Sequence, residues 1–274
     1  MTPGSLARKL FRTLARVVPQ CGMASQAVAF NMFLAFFPIL LVALGLVSSF
    51  LREESGQVIA TRLAAILPPG SGQLVYEFLL RHQVNAFRWV LFGWIGTLLV
   101  GSQVMKLIME GIHLIYGDQE RHSFLGRQFR GMLLFCVTIV GWLAAVALSI
   151  LSHPLRQWMT LGLGQSALVS GFWNMMLPVM GLVLAMLVLA LIYRFARPTA
   201  TTWISVLPGA SAATILWWGL TLIFGLYVRK MQFGLVYGTL AAVIGLMVWM
   251  EFSAMIVFLG AAWNAESTAT ANLS

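Results

Sequence analysis

Long apolar runs alternate with short polar segments along this chain, and no run shows the period-two alternation of a β-strand. Six runs are present, at about 24–51, 89–110, 131–152, 167–193, 203–227 and 236–264. Each exceeds the ~20 residues that an α-helix needs to cross ~30 Å of hydrocarbon. Because lipid offers the backbone no hydrogen bonds, such runs favour helices. The sequence therefore predicts an all-α, polytopic membrane protein with six transmembrane helices in a single membrane domain, 1–274.

Two polar segments accompany the spans. Within residues 1–23, leucines and valines share one helical face, while Arg8, Arg12 and Arg16 share another. This basic amphipathic pattern is typical of a helix in the cytoplasmic headgroup layer, or of one packed on the protein itself, and it favours neither. Residues 52–88 carry seven charges and are interrupted at Pro68. We expect them to form two short amphipathic helices that cap the bundle outside the membrane.

The connections and the basic residues predict the orientation. The connections 153–166, 194–202 and 228–235 are short, so sequential helices should be antiparallel neighbours. Ten Lys and Arg residues then lie on the side of the N-terminus and seven on the other side. Positive charge favours the cytoplasmic side, so we expect both termini in the cytoplasm.

Composition excludes a water-soluble protein. Sixty per cent of the residues are apolar and only 9% are charged, against about 25% charged residues in a globular domain. The net charge of +9 is better explained by anionic lipid than by nucleic acid, because the charges flank the spans. Cys21 precedes the first span and Cys136 lies inside the third, so a disulfide framework is not expected.

Five short motifs, in order along nearly the whole chain, give a family resemblance. They are Phe37–Pro38, Tyr116–Gly117 with a basic segment after it, Leu207–Pro208–Gly209–Ala210, Tyr237–Gly238–Thr239–Leu240 and Asn264–Ala265–Glu266. The chain resembles the YihY/BrkB family of bacterial inner-membrane proteins, also labelled UPF0761. The resemblance implies a multi-pass protein of the bacterial inner membrane. This chain also departs from the family pattern at one notable position, because Glu251 stands where the family more often has an aromatic residue.

The resemblance does not imply one activity. Family members have been labelled ribonuclease BN and linked to serum resistance and to envelope lipid export. A zinc nuclease needs clustered histidines and aspartates, but the four histidines, His82, His113, His122 and His153, include no pair at ligand spacing on one helix. We therefore expect neither an enzyme nor a metal or cofactor site.

The most unusual polar residue is Glu251, near the middle of the sixth span. An ionised carboxylate there costs several kcal/mol unless it is paired or hydrated. It is either a protonation or cation site lining a cavity, or a neutral acid hydrogen-bonded for helix packing, and the sequence favours neither. Gln26 and Asn31 of the first span and Asn174 of the fourth complete this candidate intramembrane polar site, although hydrogen bonds between helices are the simpler explanation of these three.

A second polar stripe lies near the cytoplasmic end of the second span. Gln103, Lys106, Glu110 and His113 follow at helical spacing. They are candidates for the wall of an inward-facing cavity. The simpler interpretation is a local ion pair between Lys106 and Glu110 at the membrane boundary, with the lysine reaching toward water.

Arg121, Arg127 and Arg130 form a basic cluster before the third span. They set topology, and they are also candidates for contact with anionic lipid headgroups. With the family link, these features predict a transporter or exporter of a lipid-like or amphipathic envelope component. The alternative is a non-transporting envelope-integrity or assembly protein. The expected partners are membrane lipids and a lipid-like substrate rather than nucleic acid, and the oligomeric state stays open.

Overall fold

The computed structural model describes residues 3–50, 86–118, 123–163, 167–197, 201–230 and 238–271. Within them lie six α-helices: α1 (Pro3–Phe50), α2 (Ala86–Tyr116), α3 (Phe124–Leu163), α4 (Ala167–Ala196), α5 (Trp203–Lys230) and α6 (Gly238–Ala271). Each contains a stretch long and apolar enough to cross a membrane. The prediction of an all-α chain with six spans is confirmed. The predicted cap at 52–88 falls almost entirely outside the described residues.

The first helix is longer than the sequence predicted. It runs unbroken from Pro3 to Phe50, with Pro19 and Pro38 inside it, so residues 1–23 do not form a separate helix. Val17 and Cys21, one turn apart on either side of Pro19, are both fully buried. Packing on one face therefore holds the helix together where proline removes a hydrogen bond.

The third helix also departs from the prediction. It begins at Phe124, seven residues before the predicted span, and it continues through most of the predicted connection 153–166. The Ser123 hydroxyl accepts a hydrogen bond of 3.3 Å from the Gly126 amide, as an N-cap does. Arg127 and Arg130 consequently lie in the first two turns of α3, where the sequence had placed a connection.

The described helices form a closed ring. Each packs on its neighbours along the chain, and α6 packs on α1. Across the ring, α2 also contacts α4 and α6. Glycines permit the closest approaches of α2, since Gly93 and Gly96 face Pro38 of α1 while Gly101 faces Phe135 of α3. The second helix is thus the one that touches most of the others.

The tight core lies at one end of this ring, where α1 begins and α6 ends; we call it the terminal end and the other the opposite end. Among the described side chains, Phe258, Ile112 and Tyr193 are the largest that are fully buried. All three belong to halves of helices that meet at the terminal end. Large apolar side chains on the outer surface are exposed at both ends, for example Phe92 at 66% toward the opposite end and Ile204 at 82% at the terminal end. Lipid-facing apolar surface explains such exposure in a membrane protein.

Candidate functional site

Helices α5 and α6 are joined at the terminal end by one asparagine. The side-chain oxygen of Asn264 accepts a hydrogen bond of 2.6 Å from the Gly209 amide. Its amide group donates one of 3.0 Å to the Val206 carbonyl. Asn264 is 1% exposed, so both bonds are shielded from water. A single side chain therefore fixes the beginning of α5 against the end of α6.

A tyrosine of α4 binds the same part of α6. The hydroxyl of Tyr193 donates a hydrogen bond of 2.8 Å to the Val257 carbonyl and lies directly against Gly260. The Gly260 and Gly209 backbones are also in close contact, which leaves no room for a side chain at either position. Close packing and buried hydrogen bonds together make this junction of α4, α5 and α6 rigid.

His113 connects α2 to α4. Its Nε2 atom is 2.8 Å from the Ala196 carbonyl oxygen. Because a carbonyl only accepts, Nε2 carries the proton in this contact. His113 is 8% exposed. The histidine expected to line a cavity is thus part of a helix–helix contact, with its donor already used.

An ion pair closes the terminal end. Arg197 contacts both carboxylate oxygens of Asp118, at 2.8 and 3.3 Å, and its guanidinium lies 3.8 Å from the centre of the Tyr116 ring. Gly117, with φ of +69°, turns the chain between Tyr116 and Asp118, a conformation that glycine adopts readily. The Tyr116–Gly117 motif therefore has a structural role, since it brings the aromatic ring and the carboxylate to one arginine.

The polar stripe of α2 is partnered across to α3. Lys106 donates a hydrogen bond of 2.8 Å to Gln128, and Gln128 donates one of 3.0 Å to Ser102. Glu110 pairs with Arg127 at 3.6 Å. Lys106 and Glu110 are therefore each bound to a residue of α3. The expected ion pair between the two of them is wrong. Gln103 is half-buried on the same helix.

The four residues of the predicted intramembrane site have different surroundings. Gln26 is exposed, Asn31 and Glu251 are half-buried, and the side chain of Asn174 lies outside the described part. Asn31 donates a hydrogen bond of 2.9 Å to the Ala27 carbonyl of its own helix. The structure describes no hydrogen bond or ion pair between Glu251 and another described side chain.

Helix register puts Asn31 and Glu251 at the same depth. Asn31 lies seven residues before Pro38, which packs on Gly96 of α2. Glu251 lies seven residues before Phe258, which packs on Gly111 of α2. Seven residues are about two turns, so each residue shares a face with its reference residue. Helix α1 is antiparallel to α2, so Asn31 lies level with residue 103 of α2. Helix α6 is parallel to α2, so Glu251 lies level with residue 104, next to Gln103.

Two buried polar atoms, one close to this depth and one about two turns nearer the opposite end, have no partner among the described residues. They are the hydroxyl oxygen of Thr97 on α2 and the indole Nε1 of Trp249 on α6. Trp249 packs on α5, with its ring 6.2 Å from that of Trp217 and 5.9 Å from that of Phe224. Native proteins rarely leave such atoms unpaired without water or a ligand. We define Glu251, Asn31, Gln103, Thr97 and Trp249 as the intramembrane polar band.

The basic cluster is divided in the structure. Arg121 is not among the described residues, Arg127 pairs with Glu110, and Arg130 is half-buried one turn further along α3. As for metal ligands, no three His, Cys, Asp or Glu side chains in the described part lie close enough to hold an ion.

The junction at the terminal end was not predicted from the sequence. Asn264 and Gly209 each belong to a motif of the family resemblance, but nothing in either motif indicated that the two meet. Tyr193 and Gln128 carried no signal beyond being polar residues near span ends.

A family model described as virulence factor BrkB matches residues 19–273. YfkH of Bacillus subtilis (strain 168), named as a ribonuclease-like protein, is 24% identical over 244 residues, which are 88% of this chain and 88% of the relative. A UPF0761 membrane protein of Aromatoleum aromaticum is 24% identical over 270 residues, which are 97% of this chain but only 65% of the relative. No solved structure matches the chain.

Proposed function

Because the chain belongs to the BrkB (UPF0761) family of multi-pass membrane proteins, as its motifs predicted, we propose that it moves an amphipathic, lipid-like envelope component across or out of the bacterial inner membrane. In this proposal the terminal end is cytoplasmic, in agreement with the excess of basic residues there. The ring of helices provides the path, and the intramembrane polar band provides the contact for the polar group of the substrate.

The observation that carries the proposal is the unpartnered carboxylate of Glu251 at the depth of Asn31 and Gln103. A charge in hydrocarbon is rare, and it marks a substrate or ion pathway more often than a structural contact. Helix packing alone would have given Glu251 a hydrogen-bond donor, as it gave partners to the side chains of Asn264 and Tyr193. A carboxylate left without one is better explained by water or by a polar ligand.

The arrangement also suggests the direction of access. The contacts of Asn264, Tyr193, His113 and Arg197 close the ring at the terminal end. The hydroxyl oxygen of Thr97, about two turns closer to the opposite end than residues 103–104, and the indole Nε1 of Trp249 have no partner among the described residues, and the same is true of His113 Nδ1 inside the closed junction. Water would therefore reach the polar band from the opposite end in this conformation, and substrate release toward that side requires no change at the closed junction.

We extend the proposal to the chemistry of the protein: it is a carrier and not an enzyme. The relative YfkH is named as ribonuclease-like, but the described histidine best placed for chemistry, His113, donates to a backbone carbonyl inside the bundle. A general base needs its nitrogen within reach of a substrate. The buried position of His113 does not fit that role.

Lipid movement in reconstituted vesicles tests the proposal. The purified chain would be placed in vesicles of phosphatidylethanolamine and phosphatidylglycerol containing a fluorescent phosphatidylglycerol, and transfer between leaflets would be followed with and without a pH gradient. We expect transfer above that of protein-free vesicles, and a loss of about tenfold with Glu251→Gln, corresponding to ~1.4 kcal/mol in the barrier. The matched variant Glu266→Gln, at the terminal end of the same helix, should transfer lipid at the wild-type rate.

Two results would contradict the proposal. Wild-type protein that is folded but transfers no lipid under any gradient would favour the alternative, a non-transporting envelope-integrity or assembly protein. Equal transfer by wild type and Glu251→Gln at every pH would remove the carboxylate from the mechanism.

A further inference from the structure

Close contacts join the described helices in two groups of three. In the first group, α1–α3, Gly96 of α2 packs on Pro38 of α1, and Lys106 of α2 is hydrogen-bonded to Gln128 of α3. In the second group, α4–α6, buried hydrogen bonds and glycine packing at the terminal end hold the three helices together. Relative movement is therefore easiest at the boundary between the two groups.

The two sides of that boundary are packed differently. On one side, Phe258 of α6 packs on Gly111 of α2, and α6 packs along α1. On the other side, α3 and α4 are separated along part of their length by an open apolar groove of about 490 Å³. A movement of one group relative to the other would therefore pivot about α6 and displace α4 from its neighbours.

Two polar contacts hold α4 to α2 at the terminal end. The Nε2 atom of His113 lies 2.8 Å from the Ala196 carbonyl oxygen, and Arg197 binds both carboxylate oxygens of Asp118. Gly111 and His113 are two residues apart, which is about 200° around the helix axis. Helix α2 consequently touches α6 on one face and α4 on the opposite face, so α4 can separate from α2 while α6 stays in contact with it.

The ion pair differs from the contacts within the second group because water can replace it. The Arg197 and Asp118 side chains are each 16% exposed, and they lie just beyond the last residues of α4 and α2. Water at the membrane boundary solvates both charges when such a pair separates. Separation of Gly209 from Gly260 would instead break close packing and leave the polar groups of Asn264 without partners inside the bundle.

Apolar side chains lie between the ion pair and the intramembrane polar band. Ile112 and Ile115 of α2 and Ile192 of α4 are 0%, 3% and 5% exposed. Ile112 is about 12 Å along α2 from residue 104, the level of Glu251. Displacement of α4 from α2 would bring water into this dry layer from the terminal side.

We propose that the terminal end is a gate that opens when α4 separates from α2, and that the ion pair between Asp118 and Arg197 is its latch. Tyr116 supports the latch, because its ring centre lies 3.8 Å from the Arg197 guanidinium and keeps the arginine in place. The gate rests on the proposed function for its purpose, since a carrier has to expose its polar site to each side of the membrane in turn.

Thiol labelling at Ile112 tests the gate. Ile112→Cys would be made in the full chain with Cys21 and Cys136 replaced by serine, and a membrane-impermeant maleimide would be added on the side of the terminal end. We expect slow labelling, and labelling about tenfold faster after Asp118→Ala, which removes two charge-assisted hydrogen bonds. Glu110→Ala is the matched control, because that acid pairs with α3 inside the first group and its loss should leave the rate unchanged.

A second thiol position distinguishes opening from unfolding. Ala213 is fully buried in α5, within the second group, so Ala213→Cys should stay protected when Asp118 is replaced. Ile115→Cys probes the same dry layer and should respond as Ile112→Cys does. An unchanged rate at both isoleucine positions after Asp118→Ala would overturn the latch, and an equal increase at Ala213→Cys would overturn the gate between α2 and α4. Because labelling measures opening itself, an absence of lipid transfer in vesicles would count against the proposed function alone.

Discussion

Replacing Gly260 with alanine is expected to lower the free energy of unfolding by about 3 kcal/mol, at the upper end of the ~1–3 kcal/mol typical of overpacking. The added Cβ would lie 2.7 Å from the Gly209 carbonyl oxygen and 2.8 Å from the Ala213 Cβ, and would clash with the Tyr193 hydroxyl. Two of these three obstacles are backbone or directly attached to it, so α5 and α6 must separate. Chemical unfolding in detergent micelles, followed by tryptophan fluorescence, measures the change.

Gly219→Ala is the matched control for this prediction. Gly219 lies in α5, and apart from its chain neighbours and the backbone of its own helix, no atom comes within 4 Å of the position its Cβ would take. Alanine costs less backbone entropy than glycine in a helix, so stability should be unchanged or slightly higher. Equal losses at Gly260 and Gly219 would mean that the two helices do not approach as closely as described.

Removal of the Asn264 side chain is expected to have the second largest effect. Asn264→Ala breaks the bonds to Gly209 and Val206 and leaves a buried cavity between α5 and α6. A buried polar group that loses its partner costs about 1–3 kcal/mol, although single hydrogen bonds inside membranes contribute less, about 0.6 kcal/mol on average. With two bonds lost at one point, we expect about 2 kcal/mol, read from the same unfolding experiment.

Thr268→Ala provides the comparison for Asn264. Its hydroxyl donates 2.9 Å to the Asn264 carbonyl within its own helix, so its removal separates no helices and should change stability by less than ~0.5 kcal/mol. If Asn264→Ala were as mild as Thr268→Ala, the asparagine would not join α5 to α6.

The spans were predictable because hydrocarbon imposes a simple rule on composition, but their ends were not. A predicted apolar run ends at the first charged residue. A helix can continue past a charged residue as long as its backbone N–H and C=O groups keep their hydrogen bonds. The charges of Arg127 and Arg130 made the predicted third span begin only at residue 131, although in the structure α3 begins at Phe124 and Arg127 lies inside it, paired with Glu110. The sequence also predicted a separate amphipathic segment before the first span, yet α1 continues through Pro19, with Val17 and Cys21 buried on either side of it.

The contacts of the candidate site were less predictable, because helical spacing identifies neighbours on one helix only. Lys106 and Glu110 are four residues apart, which suggested an ion pair between them, but Gln128 and Arg127 of α3 bind them instead. Their partners depend on the axial register of α2 against α3, which Gly131 sets by packing against Lys106 and Ser102. Sequence patterns within one helix do not contain that register.

The depth of Glu251 could be predicted, and its surroundings could not. Its position near the middle of an apolar run placed it inside the membrane. That Asn31 shares its depth follows only from two contacts, Pro38 on Gly96 and Phe258 on Gly111. The same contacts leave Gln26 out of the band, since it lies five residues from Asn31 and about 140° away around α1.

The most direct test of the central claim, that water reaches the polar band from the opposite end, is thiol labelling at position 251. Glu251→Cys would be made in a chain with Cys21 and Cys136 replaced by serine, and treated with a membrane-impermeant maleimide applied to either face of oriented vesicles. Labelling needs a hydrated thiolate, so we predict labelling from the opposite side and none for Phe252→Cys, a 55% exposed neighbour that faces lipid. No labelling of Glu251→Cys from either side, in a chain that is folded and labels at Thr268→Cys, would contradict the account.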